Sequence, residues 1–433
     1  MTASRSAEQR WLVWQSVDSG RLLLLGVTSV LVVIALVRTA VGFTDPHHVA
    51  IAFGLFIAFG ELLRLALPGG RETAPIAMAA ALSYALALTI AVPGMVSQVP
   101  AVPALAVIAV AAIGMALGAL PHIAAGRPAG ITGMSARLVA VAAAAFIFRP
   151  LADHGMFVGR QAFAIAVMAV LAALAWLLET VIAAVIRADD LRARYSVTFW
   201  DEVGVQWRLG LAVGVSAIIT VLGAQVMGIS ELAVFAGPLL VIQFAFRRYA
   251  GIRATYLQTV RALSQVTEVG GYVESGHSGR VSKLALAVGR ELGMSESDLL
   301  NLEYAALMHD IGQLSLPGPI PGGATVLVSA ADQQRIADFG AEVIRHTGVL
   351  DTVADLVSCQ SLPWRGGGGR LPPLGSRIIR AVNAFDDLVG GSADRDRVSA
   401  ALDRLRMDTD TEYDPGVVAA LAMVAGRLPV SRL

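Results

Sequence analysis

Cysteine, lysine and charged residues in general are scarce in this chain of 433 residues. A single cysteine, Cys359, excludes an intrachain disulfide bond and any metal site built from clustered cysteines. Lysine occurs only at Lys283, so the other basic residues are arginines. Charged residues make up 15% of the sequence, against about a quarter in soluble domains. Much of the chain is therefore predicted to lie in a solvent other than water.

The hydrophobic residues are concentrated before about residue 247, and the capping residues and charges of a soluble domain follow Arg253. The zero net charge argues against a nucleic acid as the main partner. The predicted organisation is a cytoplasmic segment at 1–20, a transmembrane domain at 21–247, a connecting signalling helix at 248–269 and a soluble domain at 270–433.

Apolar runs of about 20 residues, long enough to cross a bilayer, recur through the first half. They lie near 21–43, 48–67, 75–93, 103–120, 135–152, 162–186, 209–228 and 231–247. Arginines cluster before the first run and in alternate connections, which predicts that both ends of the protein are cytoplasmic. The sequence thus predicts about eight spans in a lipid bilayer, with seven as the alternative count. Heavy use of Ala, Gly and Val is typical of a GC-rich bacterial genome. Together with the apolar runs, it predicts a location in a bacterial cell membrane.

Two acidic residues, Glu61 and Glu179, fall within predicted spans. Ionisable groups inside a membrane often mark a transport path, so a transporter-like protein with an accessory domain is one hypothesis. Both residues lie in the cytoplasmic third of their helices, and Arg64 follows Glu61 by three positions. This arrangement favours an interfacial ion pair instead.

After Arg253 the apolar residues follow helical periodicity, and no strand pattern of substance occurs. Predicted helices lie near 278–292, 298–310, 333–346, 352–360, 376–389, 399–406 and 415–426. Ser295 followed by Asp298 is typical of a helix cap. The predicted fold is all-α, with a polytopic helical membrane domain ahead of an all-helical cytoplasmic domain.

Five short motifs occur in order, at 274–281, 305–312, 339–342, 364–368 and 381–386. With them, residues from about 256 to 389 resemble the HD-GYP family, the helical branch of the HD phosphohydrolase superfamily. The resemblance implies a centre of two or three metal ions, usually iron or manganese, and hydrolysis of cyclic di-GMP. It also implies a location behind membrane or other sensor modules.

The resemblance assigns metal ligands to His277, His309 and Asp310, and Asp310 is also the predicted catalytic residue if the domain is active. The two histidines are 32 positions apart, which suits a helix, a cap and a second helix. Asn383 stands where the family has an aspartate. Its neutral carbonyl oxygen is a weaker fourth ligand.

Other positions depart from the family pattern. Ile336, Gln360 and Ser361 stand where the resemblance implies further histidine ligands, and Gln313 replaces a lysine that contacts phosphate. The Gly-Tyr-Pro signature is also replaced.

Two arginines, Arg365 and Arg370, flank the glycine run at 366–369. With Gln313 they are predicted contacts for an anionic ligand. Pro372 and Pro373 follow, which favours a flexible loop over a phosphate cradle at a helix N-terminus.

The sequence favours a multi-pass signalling protein whose degenerate HD-GYP-like domain binds a cyclic dinucleotide or a signalling protein without catalysis. The alternatives are an active metal-dependent phosphohydrolase with a reduced iron or manganese site, and the transporter-like protein. A homodimer would suit signal transfer through the 248–269 helix.

Overall fold

The computed structural model describes the chain in ranges separated by short gaps. The described residues are 19–42, 47–67, 71–88, 102–127, 130–191, 195–227, 231–320, 325, 328–365, 371–390, 392, 394–409 and 411–427. They belong to two compact units, one made of 1–190 and 198–251, the other of 191–197 and 252–433. Nearly all of the predicted segment 1–20 lies outside the described residues.

The first unit consists of apolar helices and one short hairpin. Its helices are α1 Ser19–Gly42, α2 His47–Leu62, α3 Pro75–Leu86, α4 Ala104–Ala124, α5 Ile131–Asp153, α6 Gln161–Leu191, α7 Tyr195–Met227 and α8 Glu231–Val269, the last of which continues into the second unit. Strands β1 Leu65–Leu67 and β2 Arg71–Thr73 pair antiparallel, with Ala66 opposite Glu72.

Five helices of the described residues are long and apolar enough to cross a membrane. They are α1, α4, α5, α6 and α7, which overlap five of the predicted spans. Helices α2 and α3 are apolar but have 16 and 12 residues. The predicted count of eight spans is therefore not confirmed. The second predicted span overran its helix because Leu65–Leu67 are apolar but form β1.

Alanine side chains fill much of the core of the first unit, and α3 is buried along its whole length. Phe53 of α2 stacks on Tyr84 of α3, with ring centroids 4.7 Å apart. Buried Arg149 of α5 donates hydrogen bonds to the carbonyl oxygens of Tyr84 and Ala87. It thereby satisfies carbonyl groups that the end of α3 leaves without partners inside the helix.

Residues 188–208 mix charged and aromatic residues, a composition that is typical of an interfacial helix. The structure has no separate helix there among the described residues, because α6 runs to Leu191 and α7 begins at Tyr195. The helical periodicity of both spans continues into this stretch, so Asp189 and Asp190 lie at the end of α6, and Asp201 and Glu202 lie near the start of α7.

The second unit is all-α, as predicted. After α8 it contains α9 His277–Glu291, α10 Glu296–Met308, a 3-10 helix at Ile311–Ser315, α11 Ala330–Arg345, α12 Asp351–Ser358, α13 Leu374–Val389, α14 Arg395–Met407 and α15 Pro415–Arg427. An isolated bridge between Thr409 and Tyr413 is its one β feature within the described residues.

Local sequence and packing together place the ends of these helices. Ser295 caps α10 by accepting a hydrogen bond from the Asp298 amide at 3.2 Å, which confirms the predicted cap. The apolar faces of α9, α10 and α13 form one buried core, with Val281, Leu302 and Phe385 among its members. This packing brings the start of α9 beside the end of α10.

Candidate metal centre

Three side chains that can bind a metal come from the adjacent ends of α9 and α10. His277 is the first residue of α9, while His309 directly follows the last residue of α10 and precedes Asp310. All three are buried, with at most 4% of each residue exposed. The 32-residue spacing therefore brings the two histidines together.

The donor atoms of these side chains form a small triangle. His277 Nε2 lies 3.4 Å from His309 Nε2 and 3.2 Å from Asp310 Oδ2, and His309 Nε2 lies 3.0 Å from the same oxygen. Metal–ligand bonds of about 2.1 Å at right angles place neighbouring donors about 3.0 Å apart. This oxygen is buried between the two rings. The triangle therefore fits one cation.

Each imidazole is oriented by a hydrogen bond on its other ring nitrogen. His277 Nδ1 lies 2.8 Å from Asp386 Oδ2, and His309 Nδ1 lies 2.8 Å from the carbonyl oxygen of Ala306. Both acceptors favour a proton on Nδ1 in the neutral ring. Each Nε2 lone pair then faces the triangle, which is how proteins commonly orient histidine ligands.

Asp386 is held in place by Arg280, whose Nε and Nη2 donate to its two oxygens at 3.0 and 2.9 Å. Held in this way, Asp386 orients the ring of His277. The signal that could have found it is its position three residues after Asn383, one turn along the same face of α13.

Two amide side chains complete the surroundings of the triangle. Asn383 Oδ1 lies 3.1 Å from His309 Nε2, and its Nδ2 donates to Thr325 Oγ1 at 2.8 Å, so the oxygen is directed as a fourth donor. Fully buried Gln313 donates from Nε2 to Asp310 Oδ1 at 2.8 Å. Gln313 thus holds one oxygen of Asp310 while the other faces the triangle.

Burial and charge act in opposite directions on these groups. Burial alone would lower the pKa of His277, but the carboxylates of Asp310 and Asp386 outweigh it and raise the pKa to about 10. The pKa of His309 is likewise raised against burial, chiefly by the charge of Asp310. Burial would raise the pKa of Asp310, but His309 and His277 hold it well below its usual range. Without a metal, protons take the place of a cation.

Comparison with protein families assigns this unit. Residues 261–417 match the family model described as the HD domain. This part of the chain is an HD domain. HD domains are typically metal-dependent, and the group of His277, His309 and Asp310 fits a cation. Among the described residues, no other group of three or more His, Cys, Asp or Glu side chains converges in this way.

Two curated proteins are similar to this chain. One is a 3'3'-cGAMP-specific phosphodiesterase 3 of Vibrio cholerae, 28% identical over 184 residues, or 39% of this chain and 39% of the relative. The other is a cyclic di-GMP phosphodiesterase of Thermotoga maritima, 24% identical over 143 residues, or 30% of this chain and 39% of the relative. The chain therefore spans well under half of the length of these relatives.

A cavity of about 230 Å³ lies beside the triangle in the HD domain, and His309 and Asp310 form part of its wall. Ile336, Gln360 and Ser361 line the same cavity, so the positions where the resemblance implied more histidines do lie together. Isoleucine offers no donor atom to a metal. Gln360 instead donates to the carbonyl oxygen of His309 at 2.7 Å.

The cavity wall also contains residues that no sequence motif indicated. Arg380 donates to the carbonyl oxygen of Ser361 at 2.5 Å, pairs with Glu412 and lies 5.9 Å from the ring centroid of Tyr413. Its position on α13, three residues before Asn383, was the available signal. Glu412 and Tyr413 are distant in sequence, so only the fold brings them here.

Gly312 allows the chain to turn closely past α11 after Asp310. A Cβ atom at this position would lie 1.8 Å from the carbonyl oxygen of Ile336. Backbone cannot give way to such an overlap, so a larger residue would displace the 3-10 helix that carries Gln313. The glycine thus keeps Gln313 in reach of Asp310.

The predicted anionic-ligand contacts occupy different surroundings. Gln313 is buried against Asp310, whereas Arg365 is exposed and its backbone amide donates to the carbonyl oxygen of Thr411 at 2.9 Å. Arg370 and the glycine run 366–369 lie outside the described residues. Contact of these residues with a ligand stays a prediction.

Proposed function

We propose that this protein is a membrane signalling protein whose HD domain binds a cyclic dinucleotide at a single-metal site, mainly without hydrolysing it. The observation that supports the proposal is the set of residues that line the cavity beside the metal triangle. Ile336, Gln360 and Ser361 line it, where hydrolysis with two metals would need further strong donors. The described residues offer one cation position, formed by His277, His309 and Asp310 with Asn383 as a weaker fourth donor.

Iron or manganese suits this set of donors. The site offers two imidazole nitrogens, one carboxylate oxygen and one amide oxygen, and such nitrogen and oxygen donors match these metals better than soft ones. When bound, the metal supplies a positive charge that attracts phosphate oxygens. The protein contributes the rest: Asp386 and Ala306 orient the rings, and Gln313 holds Asp310.

The ligand class rests on the relatives and on the cavity. The two relatives are named for 3'3'-cGAMP and cyclic di-GMP, which share phosphodiester groups. A cavity of about 230 Å³ is smaller than the roughly 300–1,000 Å³ of sites that enclose a whole ligand. It suits one phosphodiester group beside the metal, with the remainder of the ligand outside.

The apolar helices of the first unit support a membrane location for the protein. Five apolar helices of sufficient length are compatible with a membrane protein. The arginine distribution favours an HD domain on the cytoplasmic side of a bacterial cell membrane.

A second candidate, a phosphohydrolase with a reduced site, is favoured by Asn383. Its Oδ1 lies 3.1 Å from His309 Nε2, which is the spacing of neighbouring ligands on one metal. Four donors around one metal still leave coordination positions for water and phosphate. This candidate predicts slow turnover that the leading proposal does not.

The decisive experiment uses the full-length protein purified in detergent. Bound manganese and iron are measured by mass spectrometry, and 3'3'-cGAMP and cyclic di-GMP are followed for binding by calorimetry and for turnover by chromatography. We expect about one metal per chain, metal-dependent binding and no turnover. Asp310→Ala should lose both metal and ligand, while Asp403→Ala, which removes an exposed carboxylate on α14, should retain both.

Two results would overturn the leading proposal. Metal-dependent turnover that disappears in Asp310→Ala would establish the phosphohydrolase instead. A protein that is folded and metal-loaded but binds neither cyclic dinucleotide would exclude both candidates and leave a protein partner as the ligand.

A further inference from the structure

A second buried cluster of charges lies in the first unit, among helices long and apolar enough to cross a membrane. It surrounds a cavity of about 540 Å³ whose lining includes five arginines and five acidic residues. This volume falls within the roughly 300–1,000 Å³ of small-molecule sites. Charged side chains among membrane helices are costly and usually serve a function. The cavity is therefore a candidate binding site that is separate from the metal centre.

Two ion pairs form the most deeply buried part of the wall. Arg137 Nη2 donates to both oxygens of Glu61, at 2.9 and 2.7 Å, and the two side chains are 3% and 0% exposed. Arg71 Nε donates to Glu202 Oε1 at 2.6 Å, also out of solvent. Glu61 thus pairs with Arg137 of another helix, whereas its sequence neighbour Arg64 was the expected partner.

Two further pairs line the cavity. Arg64 Nη1 lies 3.4 Å from Glu72 Oε2, and Arg21 Nη2 lies 2.7 Å from Asp190 Oδ2. Gly130 has a positive φ of 65°, and a Cβ there would lie 2.4 Å from Arg64 Nη1 and 2.8 Å from Glu72 Oε2. The backbone is thus shaped to accept this pair.

Glu179 differs from the other four acidic residues of the wall. It has no hydrogen bond or ion pair within the part of the chain that the structure describes, although it interacts electrostatically with Arg137 and Glu61. It also borders a small adjoining space with Trp176, one turn earlier on α6. A carboxylate beside an indole ring is a suitable environment for an ammonium group.

Arg137 offers a complementary unsatisfied group. Its Nη2 is engaged by Glu61, but its buried Nε donates no hydrogen bond. A buried N–H without an acceptor destabilises the folded protein, and an anionic ligand oxygen would remove that cost. An unpaired acceptor at Glu179 and an unpaired donor at Arg137 therefore line the same cavity.

The charge balance decides what kind of ligand fits. Five guanidinium groups and five carboxylates sum to zero when all are ionised. A simple cation at Glu179, or a simple anion at Arg137, would leave one uncompensated charge in a low-dielectric interior. A ligand with one charge of each sign keeps the sum at zero and serves both groups.

We propose that this cavity binds a small zwitterion, with a protonated amine at Glu179 and a phosphate or carboxylate at Arg137. This is the chemistry of a free amino acid or aminoalkyl phosphate, and also of a phosphatidylethanolamine headgroup. The ligand would be what the membrane part of the protein senses. The site does not depend on metal or dinucleotide binding by the HD domain.

The test measures thermal unfolding of the full-length protein in detergent, with metals removed by a chelator. The probes are two zwitterions, phosphoethanolamine and β-alanine, together with ethanolamine and inorganic phosphate as the separate halves. At saturation we expect at least one zwitterion to raise the melting temperature by about 5 °C. Neither half alone should raise it by more than about 1 °C.

Lipid nanodiscs separate the two sources of the ligand. If the headgroup is the ligand, phosphatidylethanolamine discs should give the stabilisation by themselves, compared with phosphatidylglycerol discs, and added phosphoethanolamine should add nothing. If the free molecule is the ligand, both kinds of disc should respond equally to added zwitterion.

Matched variants connect the response to the cavity. Glu179→Gln should abolish it, and Asp189→Asn, which removes an exposed carboxylate from the same helix, should preserve it. If Glu179→Gln does not fold, Glu179→Asp keeps the charge at a shorter reach and should weaken the response at least tenfold in concentration. An unchanged response in a folded Glu179 variant, a full response to one half alone, or no response to any zwitterion or lipid would each overturn the proposal.

Discussion

Both units bury ionisable side chains, but they neutralise them in different ways. In the first unit Glu61 and Glu202 each face a guanidinium group, so opposite charges compensate within the protein. In the HD domain Asp310 Oδ2 faces two imidazole nitrogens, and no arginine contacts it among the described residues. Arginine cannot release its proton to a metal, whereas histidine can. The Glu61 and Glu202 pairs are thus complete without a metal ion, whereas the triangle of the HD domain is suited to receive one.

The largest expected effect comes from breaking a pair in the first unit. Arg137→Met leaves Glu61 as an uncompensated buried charge and should lower the free energy of unfolding by about 3–5 kcal/mol. Denaturant titration of the full-length protein in mixed micelles measures this change. The double variant Glu61→Leu with Arg137→Met should recover most of the loss. A loss below about 1 kcal/mol would show that the pair is hydrated instead of buried.

The next effect tests the support of the metal triangle. Asp386→Asn removes the charge that holds the Nδ1 proton of His277 and should weaken metal binding about 10- to 100-fold. Competition with a calibrated chelator measures the affinity. Asp387→Asn alters the adjacent carboxylate and should leave the affinity within about twofold. Equal losses in both variants would contradict a specific role for Asp386.

The third prediction concerns pH, and the expected change in metal affinity for each displaced proton is smaller than the loss in Asp386→Asn. Because the pKa of His277 is raised to about 10, its ring is an imidazolium at neutral pH without metal, and the raised pKa of His309 means that this ring also binds a proton more tightly than a free imidazole does. The metal must displace these protons, so affinity should rise by about tenfold per pH unit for each proton between pH 6 and 8. Asp310, with its lowered pKa, is already ionised and adds no dependence. Calorimetry in buffers of different ionisation enthalpy counts the protons, and a count of zero would contradict the shifts.

The smallest change in stability is expected from breaking an ion pair that is exposed to water. Arg345 Nη2 lies 3.1 Å from Asp355 Oδ1, and the two side chains are 49% and 68% exposed. Arg345→Ala should change the stability of the protein by less than about 1 kcal/mol, because water screens the pair. The same denaturant titration applies. A loss comparable with that of Arg137→Met would remove burial as the explanation for the difference.

Local patterns in the sequence were reliable where a short stretch determines the outcome. Helical periodicity and caps such as Ser295 fix most helices of the HD domain to within a few residues, because both depend on neighbours within one turn. The apolar residues of β1 show the limit. Hydrophobicity marks them as part of a span, but the helix ends at Leu62 and they pair with β2 instead.

The sequence by itself determined the all-α fold, the apolar first half, the HD domain and the convergence of His277 with His309. These features follow from periodicity, composition and the order of the motifs, which are properties of the chain alone. Tertiary structure decided that Asp386 and Arg280 orient His277, that Arg380 and Glu412 meet at the cavity, and that Glu61 pairs with Arg137. Those partners are up to 109 positions apart, and their contacts depend on which helix faces pack together, which local pattern does not encode.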